Sequence, residues 1–223
     1  MSNLCEAGHN SHNIIRVPTI QGDMWVYDND RYKNYKGYCT GQDDVSQTLK
    51  NVQVWEKEET DLIKSILEAG DKTHSFIDVG AHVGWYSLLA SKLGYPIAAF
   101  EAEGESCELI KANININKLP PISIFNMWID ENSKLVALIK DIELIKIDIE
   151  GNEQYAIKLF EKVIERGGVK HIVMEVSPTF NDSYPALVQK LVDYGYYVYE
   201  LDMKPFDFKY DFDQTNLLFV RQS

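Results

Sequence analysis

From about Ser75 to the end of the chain, short apolar runs alternate with longer stretches whose apolar positions recur every three or four residues. The short runs predict strands at 75–79, 96–100, 121–126, 143–149, 170–175, 196–201 and 216–221. The longer stretches predict helices near 83–93, 104–117, 153–166 and 183–194, with a further helix near 56–69 that closes on Gly70. Strand and helix in alternation is the pattern of βαβ units building a parallel sheet. The last two runs, "YYVYELD" and "NLLFVR", are separated by 14 residues with no helical period, so they are expected to pair as an antiparallel hairpin at one edge. The fold class expected is α/β, Rossmann-like, with a mostly parallel seven-stranded sheet and helices on both faces. Residues 1–54 read differently, because "MWVYDNDRYKNYKGY" mixes aromatics with charges and carries no long period. They are expected to form an arm capping the carboxyl edge of the sheet formed by residues 55–223, within one globular unit.

Composition narrows the class further. A chain of 223 residues that is 45% hydrophobic and 25% charged suits one domain with a substantial core. No uncharged stretch approaches the roughly 20 apolar residues of a membrane-spanning helix. The opening "MSNLCEAGHNSHN" has no basic-then-apolar order, so a cytoplasmic location is the default expectation. Cys5, Cys39 and Cys107 are odd in number and far apart, which speaks against a disulfide framework and for reduced thiols, Cys107 being packed in a helix. The net charge of −12 would repel a polyanion, so nucleic acid is a disfavoured partner.

The stretch "FIDVGAHVGWYSLLAS" places an acid and two glycines between the first core strand and its helix. In a doubly wound sheet, ligands sit beyond the carboxyl ends of the strands, where such loops leave. Gly80 and Gly84 would let backbone approach a ligand, and the next helix begins with free N–H groups. His82 breaks the G-x-G-x-x-G pattern of dinucleotide enzymes; its place in the loop suits either a general base or a residue that tolerates positive φ. Glu101 ends the next strand 23 residues after Asp78, placed to accept both hydroxyls of a ribose. With no phosphate-cradling motif, these residues point to a nucleoside cofactor without phosphates, and S-adenosylmethionine fits. Its sulfonium and α-amino groups would be welcomed by Asp78 and by Glu56 or Glu59.

A second constellation is "LIKIDIEGNE". Alternation puts Lys146, Asp148 and Glu150 on one side of a buried strand and Ile145, Ile147 and Ile149 on the other. Three charges there are costly unless they pair or do chemistry. Methyl transfer to an alcohol needs an acceptor for the hydroxyl proton, and Asp148 is the first choice as base, with Glu150 and Lys146 positioning the hydroxyl or tuning the acid. Glu153 falls in the first turn of the next helix. Glu175 in "IVMEVSP" faces the same edge, either to bind a substrate hydroxyl or to satisfy backbone N–H groups before Pro178. A divalent ion at Asp148 and Glu150 would suit hard oxygen ligands, although no metal is expected. His9, His12, His74 and His171 show no ligand spacing. The aromatic run in "KPFDFKYDFD" reads mainly as sheet packing, though it would also suit sugar faces.

In order and spacing, "FIDVGAHVGWYSLLAS", "AAFEAEGESCELIKANININKL" and "LIKIDIEGNEQYAI" resemble the motifs of the FkbM-type S-adenosylmethionine-dependent methyltransferases. The resemblance spans about residues 44–176 and implies the Rossmann-like class I methyltransferase fold. It implies that Asp78, Gly80, Ala81 and Gly84 hold the methionine portion of the cofactor, Glu101 the ribose, and residues around Asn126 to Asp130, Met127 and Trp128 among them, the adenine, with His82 and Ala102 in the same cofactor site. It also implies that Asp148, Glu150 and Glu153 line the acceptor site. His82 stands where the family often has Asn, and Ala102-Glu103 replaces the usual Pro-Asn. Members commonly O-methylate sugars or natural-product hydroxyls, so a carbohydrate acceptor, with S-adenosylhomocysteine as product, is the expectation. The alternatives are an RNA ribose 2′-O-methyltransferase, a non-catalytic cofactor-binding module and, more weakly, a nicotinamide-dependent oxidoreductase.

Overall fold

The computed structural model describes residues 14–28, 43–134, 141–178, 184–207 and 214–222. Cys5, Cys39, His9, His12 and the aromatic positions 208, 210 and 212 lie outside the described residues. The core strands are β3 (Ser75–Val79), β4 (Ile97–Glu101), β5 (Ser123–Asn126), β6 (Ile142–Ile147), β7 (Val169–Val176), β8 (Tyr196–Glu200) and β9 (Thr215–Arg221), ordered β5-β4-β3-β6-β7-β9-β8 in one sheet. β3 to β7 pair in parallel, and β9 runs antiparallel between β7 and β8. The fold is therefore the mostly parallel seven-stranded sheet expected, with its antiparallel edge.

Strand β6 is central and buried on both sides, so its sequence is a continuous apolar run broken by two charges, Glu143 and Lys146. Alternate side chains feed two cores. Leu144, Phe76 and Val173 face α2 (Lys57–Ala69), α3 (Trp85–Lys92) and α4 (Gly104–Ile116). Ile145, Ile147, Ile172 and Met174 face α5 (Glu153–Glu165) and α6 (Tyr184–Asp193). No helix among the described residues is long and apolar enough to cross a membrane.

The arm is more regular than its sequence pattern suggests. β1 (Ile14–Thr19) and β2 (Gly22–Tyr27) form an antiparallel hairpin, followed by α1 (Asp44–Val52). The hairpin lies along α4 through polar side chains: Trp25 N–H donates to Asn113 Oδ1 at 2.6 Å, and Asn113 Nδ2 donates to the Trp25 carbonyl at 3.0 Å. Asn117 Nδ2 donates to the Asp23 carbonyl at 2.7 Å. The buried amide of Asn113 thus satisfies an otherwise unpaired strand edge, and its third hydrogen bond, Nδ2 to the Val83 carbonyl at 2.9 Å, joins the arm to the loop after β3.

Candidate functional site

The loop after β3 is held from three directions. Gly80 and Ala81 N–H groups both donate to the Phe100 carbonyl, and the Asp148 N–H donates to the Val79 carbonyl at 2.9 Å. Gly80 has φ +85°, and a Cβ there would lie 1.8 Å from the Asp148 carbonyl oxygen. Only glycine fits at this position, because the backbone of the second motif passes against it. Gly84, at φ +87°, opens α3. His82 adopts φ +49°, the left-handed conformation a glycine would otherwise supply.

Asp78 lies buried below this loop, accepting from Ser87 Oγ at 2.6 Å. Burial pushes its carboxyl up to about 6, against the opposing pull of the Ser87 hydrogen bond and the Lys146 charge. Glu101, at the end of β4, is gripped by two backbone donors: His82 N–H at 2.7 Å on Oε2 and Glu103 N–H at 2.8 Å on Oε1. Each oxygen retains a second lone pair for a hydroxyl. Asn126 closes the neighbouring turn, donating to the Glu101 carbonyl at 3.0 Å and the Ala102 carbonyl at 2.8 Å, while Met127 N–H donates to the Glu101 carbonyl at 2.9 Å. Trp128 follows with 66% of its surface exposed, an apolar ring presented beside this turn.

The second motif ends β6 on the α2 side of the sheet. Lys146 is 1% exposed, with Nζ 3.0 Å from Glu59 Oε1 and 3.4 Å from Asp148 Oδ2. Burial alone would lower its pKa, but the charges of Asp148, Glu59 and Glu56 outweigh that and hold it well above its ordinary value. Burial raises the carboxyl of Glu59, Lys146 opposes this, and Glu56 adds to it. Glu56 itself begins α2 at φ +36° and accepts the Tyr86 hydroxyl at 2.9 Å.

Strand β6 ends at Ile147, just before Asp148, and Glu150 and Gly151 turn at φ +53° and +97°, so alternation does not carry through to Glu150. Glu150 reaches the site through that turn rather than through the strand. Carboxylate oxygens of Asp148, Glu150 and Glu175 nevertheless converge within 4.8 Å of one another. Burial, then the charges of Asp148 and Glu150, push Glu175 up to about 8, while a hydrogen bond from Gln214 Nε2 opposes them. Glu153 is buried, accepts the Gly151 N–H at 2.8 Å, and is raised chiefly by burial. It fixes the turn between β6 and α5.

A cavity lined by Trp55, Gly80, His82, Tyr86, Lys146 and Asp148 joins the two motifs. Spacing alone did not single out Asp43, Ser87 or Tyr86. Asp43 precedes α1 and lies 3.0 Å from His82 Nε2; despite burial, His82 and Ser46 hold its carboxyl low. Glu59 had a readable signal: it stands four and eight positions before Ile63 and Leu67 on the buried stripe of α2, an acid on an apolar face.

No protein-family model matches the chain, and no curated protein matches it. Solved structures do. A TehB-like SAM-dependent methyltransferase of Corynebacterium glutamicum superposes with a TM-score of 0.53 at 14% identity, over 79% of this chain and 94% of that one. The precorrin-6y C5,15-methyltransferase of Geobacter metallireducens gives 0.54 at 18% identity over 88% and 97%. The T. thermophilus 16S rRNA N2 G1207 methyltransferase, solved with AdoMet and guanosine, gives 0.56 at 12% identity over 96% of this chain and 52% of that one. At these identities the likeness is one of fold, the Rossmann-like fold of SAM-dependent methyltransferases.

Proposed function

We propose that the protein is an S-adenosylmethionine-dependent O-methyltransferase acting on a sugar hydroxyl, with Asp148 as proton acceptor. What carries this reading is the contact between the two motifs: the Asp148 backbone packs against Gly80, so a candidate base stands beside the loop suited to the methyl donor. The donor set fits that cofactor. Acids crowd the edge, Glu59 and Glu175 buried, Asp148 half-buried and Glu150 exposed; among the described residues Lys146 is the cation paired with them, and a ligand carrying a positive sulfur and an amino group supplies the missing charge. When bound, S-adenosylmethionine supplies a methyl group on a sulfonium whose sulfur leaves with the electron pair as neutral S-adenosylhomocysteine.

The chain's own residues bind and align. Glu101, fixed by His82 and Glu103 N–H groups, receives ribose hydroxyls. The turn of Asn126, Met127 and Trp128 borders the adenine, and Asp78 and the loop from Gly80 to Gly84 border the methionine end. Asp148 takes the proton of the attacking hydroxyl, and Glu150, Glu153 and Glu175 border the acceptor. Most of the rate enhancement would come from alignment. A net charge of −12 weighs against an RNA acceptor despite the rRNA-modifying neighbour. Calorimetric titration with S-adenosylmethionine, followed by mass spectrometry of a sugar panel incubated with labelled cofactor, tests the reading. One added methyl on one sugar is expected. Binding without transfer to any sugar would overturn the acceptor class, and no binding would overturn the cofactor.

A further inference from the structure

Lys146 joins the acid of α2 to the acids at the carboxyl edge of the sheet. On one side stands Asp148, 3.4 Å away in the site; on the other stands Glu59, 3.0 Å away on α2. Glu59 is 1% exposed, and among the described residues no hydrogen-bond donor is aligned on either of its oxygens, so the Lys146 charge is its main compensation and the Tyr86 hydroxyl a lesser one. The Tyr86 ring, 5.6 Å from Nζ, walls the ammonium in, and the Tyr86 hydroxyl is turned to Glu56. A buried ammonium with Asp148 as its one close ion-pair partner, Glu56 and Asp78 acting on it from beyond ion-pair distance, would close onto that carboxylate and hold it against protonation. With Glu59 behind it, the ammonium is shared and sits nearer to the helix.

We propose that Glu59 is a positioning residue of the transfer site: acting through Lys146, it draws the ammonium back so that Asp148 stays oriented yet basic enough to take the hydroxyl proton. The inference rests on the reading of Asp148 as the base. Among the described residues, the charged groups around the pair are Glu150 and Glu175 beside Asp148, Glu56 and Tyr86 beside Glu59, and Asp78 in register with Lys146 on β3.

Carbon-13 NMR of carboxyl-labelled aspartate in a chelating buffer, with the Asp148 signal assigned by its loss in Asp148→Asn, follows the proton on Asp148 without any acceptor. Glu59→Gln should lower the Asp148 titration midpoint by about one pH unit, a roughly tenfold change in proton affinity. The same substitution made on Lys146→Met should change that affinity by less than about threefold, because no ammonium remains to be placed. Equal shifts in both backgrounds, or no shift in the first, would overturn the proposal. If Glu59→Gln does not fold, Glu59→Asp, which retracts the charge by one methylene, is titrated instead; a smaller shift in the same direction supports the proposal and no shift refutes it. On any sugar that the wild type methylates, Glu59→Gln should lower kcat about tenfold with the KM for S-adenosylmethionine unchanged. A wild type that methylates no sugar refutes the acceptor class alone, since the titration needs no acceptor.

Discussion

Strand β6 carries a buried acid near one end and a buried lysine near the other, and the two ends are charged in opposite ways. At the amino end Glu143, 2% exposed, is surrounded by nitrogen: Asp71 N–H at 3.2 Å, His74 Nδ1 at 3.1 Å, Lys170 Nζ at 3.0 Å and His171 Nδ1 at 3.8 Å. At the carboxyl end the ratio is reversed, with Lys146 between Glu59 and Asp148 while Glu150 and Glu175 crowd behind. A buried acid whose donors are all supplied by the protein holds the fold together. A group of acids short of positive charge is poised for a cationic ligand or for proton transfer, and burial and mutual repulsion keep Glu175 ready to hold a proton up to about 8. His74 and His171, ordinary by spacing, belong to the saturated end.

The contrast can be broken from either side. Asp148→Asn should lower turnover by about two to four orders of magnitude while S-adenosylmethionine affinity stays within about twofold; a full rate would remove Asp148 as the base. Glu101→Ala removes the carboxylate that ties two loop N–H groups, and calorimetry should show affinity for the cofactor falling about 100-fold. Glu143→Gln should act on stability alone, costing about 2 kcal/mol in urea unfolding, since the Lys170 partner reaches solvent. A change in cofactor affinity there would mean that the two ends are coupled.

The smallest expected effect is on pH dependence. The folded-state carboxyl of Glu175 stands above its ordinary 4.5, at about 8. Its contribution to stability is therefore full below about 4.5 and is lost as pH rises through 8. Glu175→Gln should flatten the decline in melting temperature across that window, and an unchanged slope would show that Glu175 does not hold the proton.

Much of this was legible because periodicity is a local property. The strand at 75–79 and the helix starts at 104 and 153 fall where the apolar pattern and the turn residues place them. The hairpin at 14–27 was not legible. Its strands are short, one contains Pro18, and the Trp25 backbone is satisfied by Asn113, 88 positions away. The expected strand over 143–149 also stops early. Alternation predicts side-chain direction only while the backbone stays extended, and Glu150 does not.

The order of strands and helices, the glycine-bearing loop with Glu101 after it, and the clustering of Lys146, Asp148 and Glu150 within a few positions were all determined by the sequence alone. Tertiary structure decided which charges meet. Hydrophobic period sets where an element lies and which face it buries, but an ion pair such as Lys146 with Glu59, or Glu143 with Lys170, depends on distances between elements far apart in the chain. Those distances follow from the packing of α2 against the sheet and of β6 between β3 and β7, which no local pattern encodes.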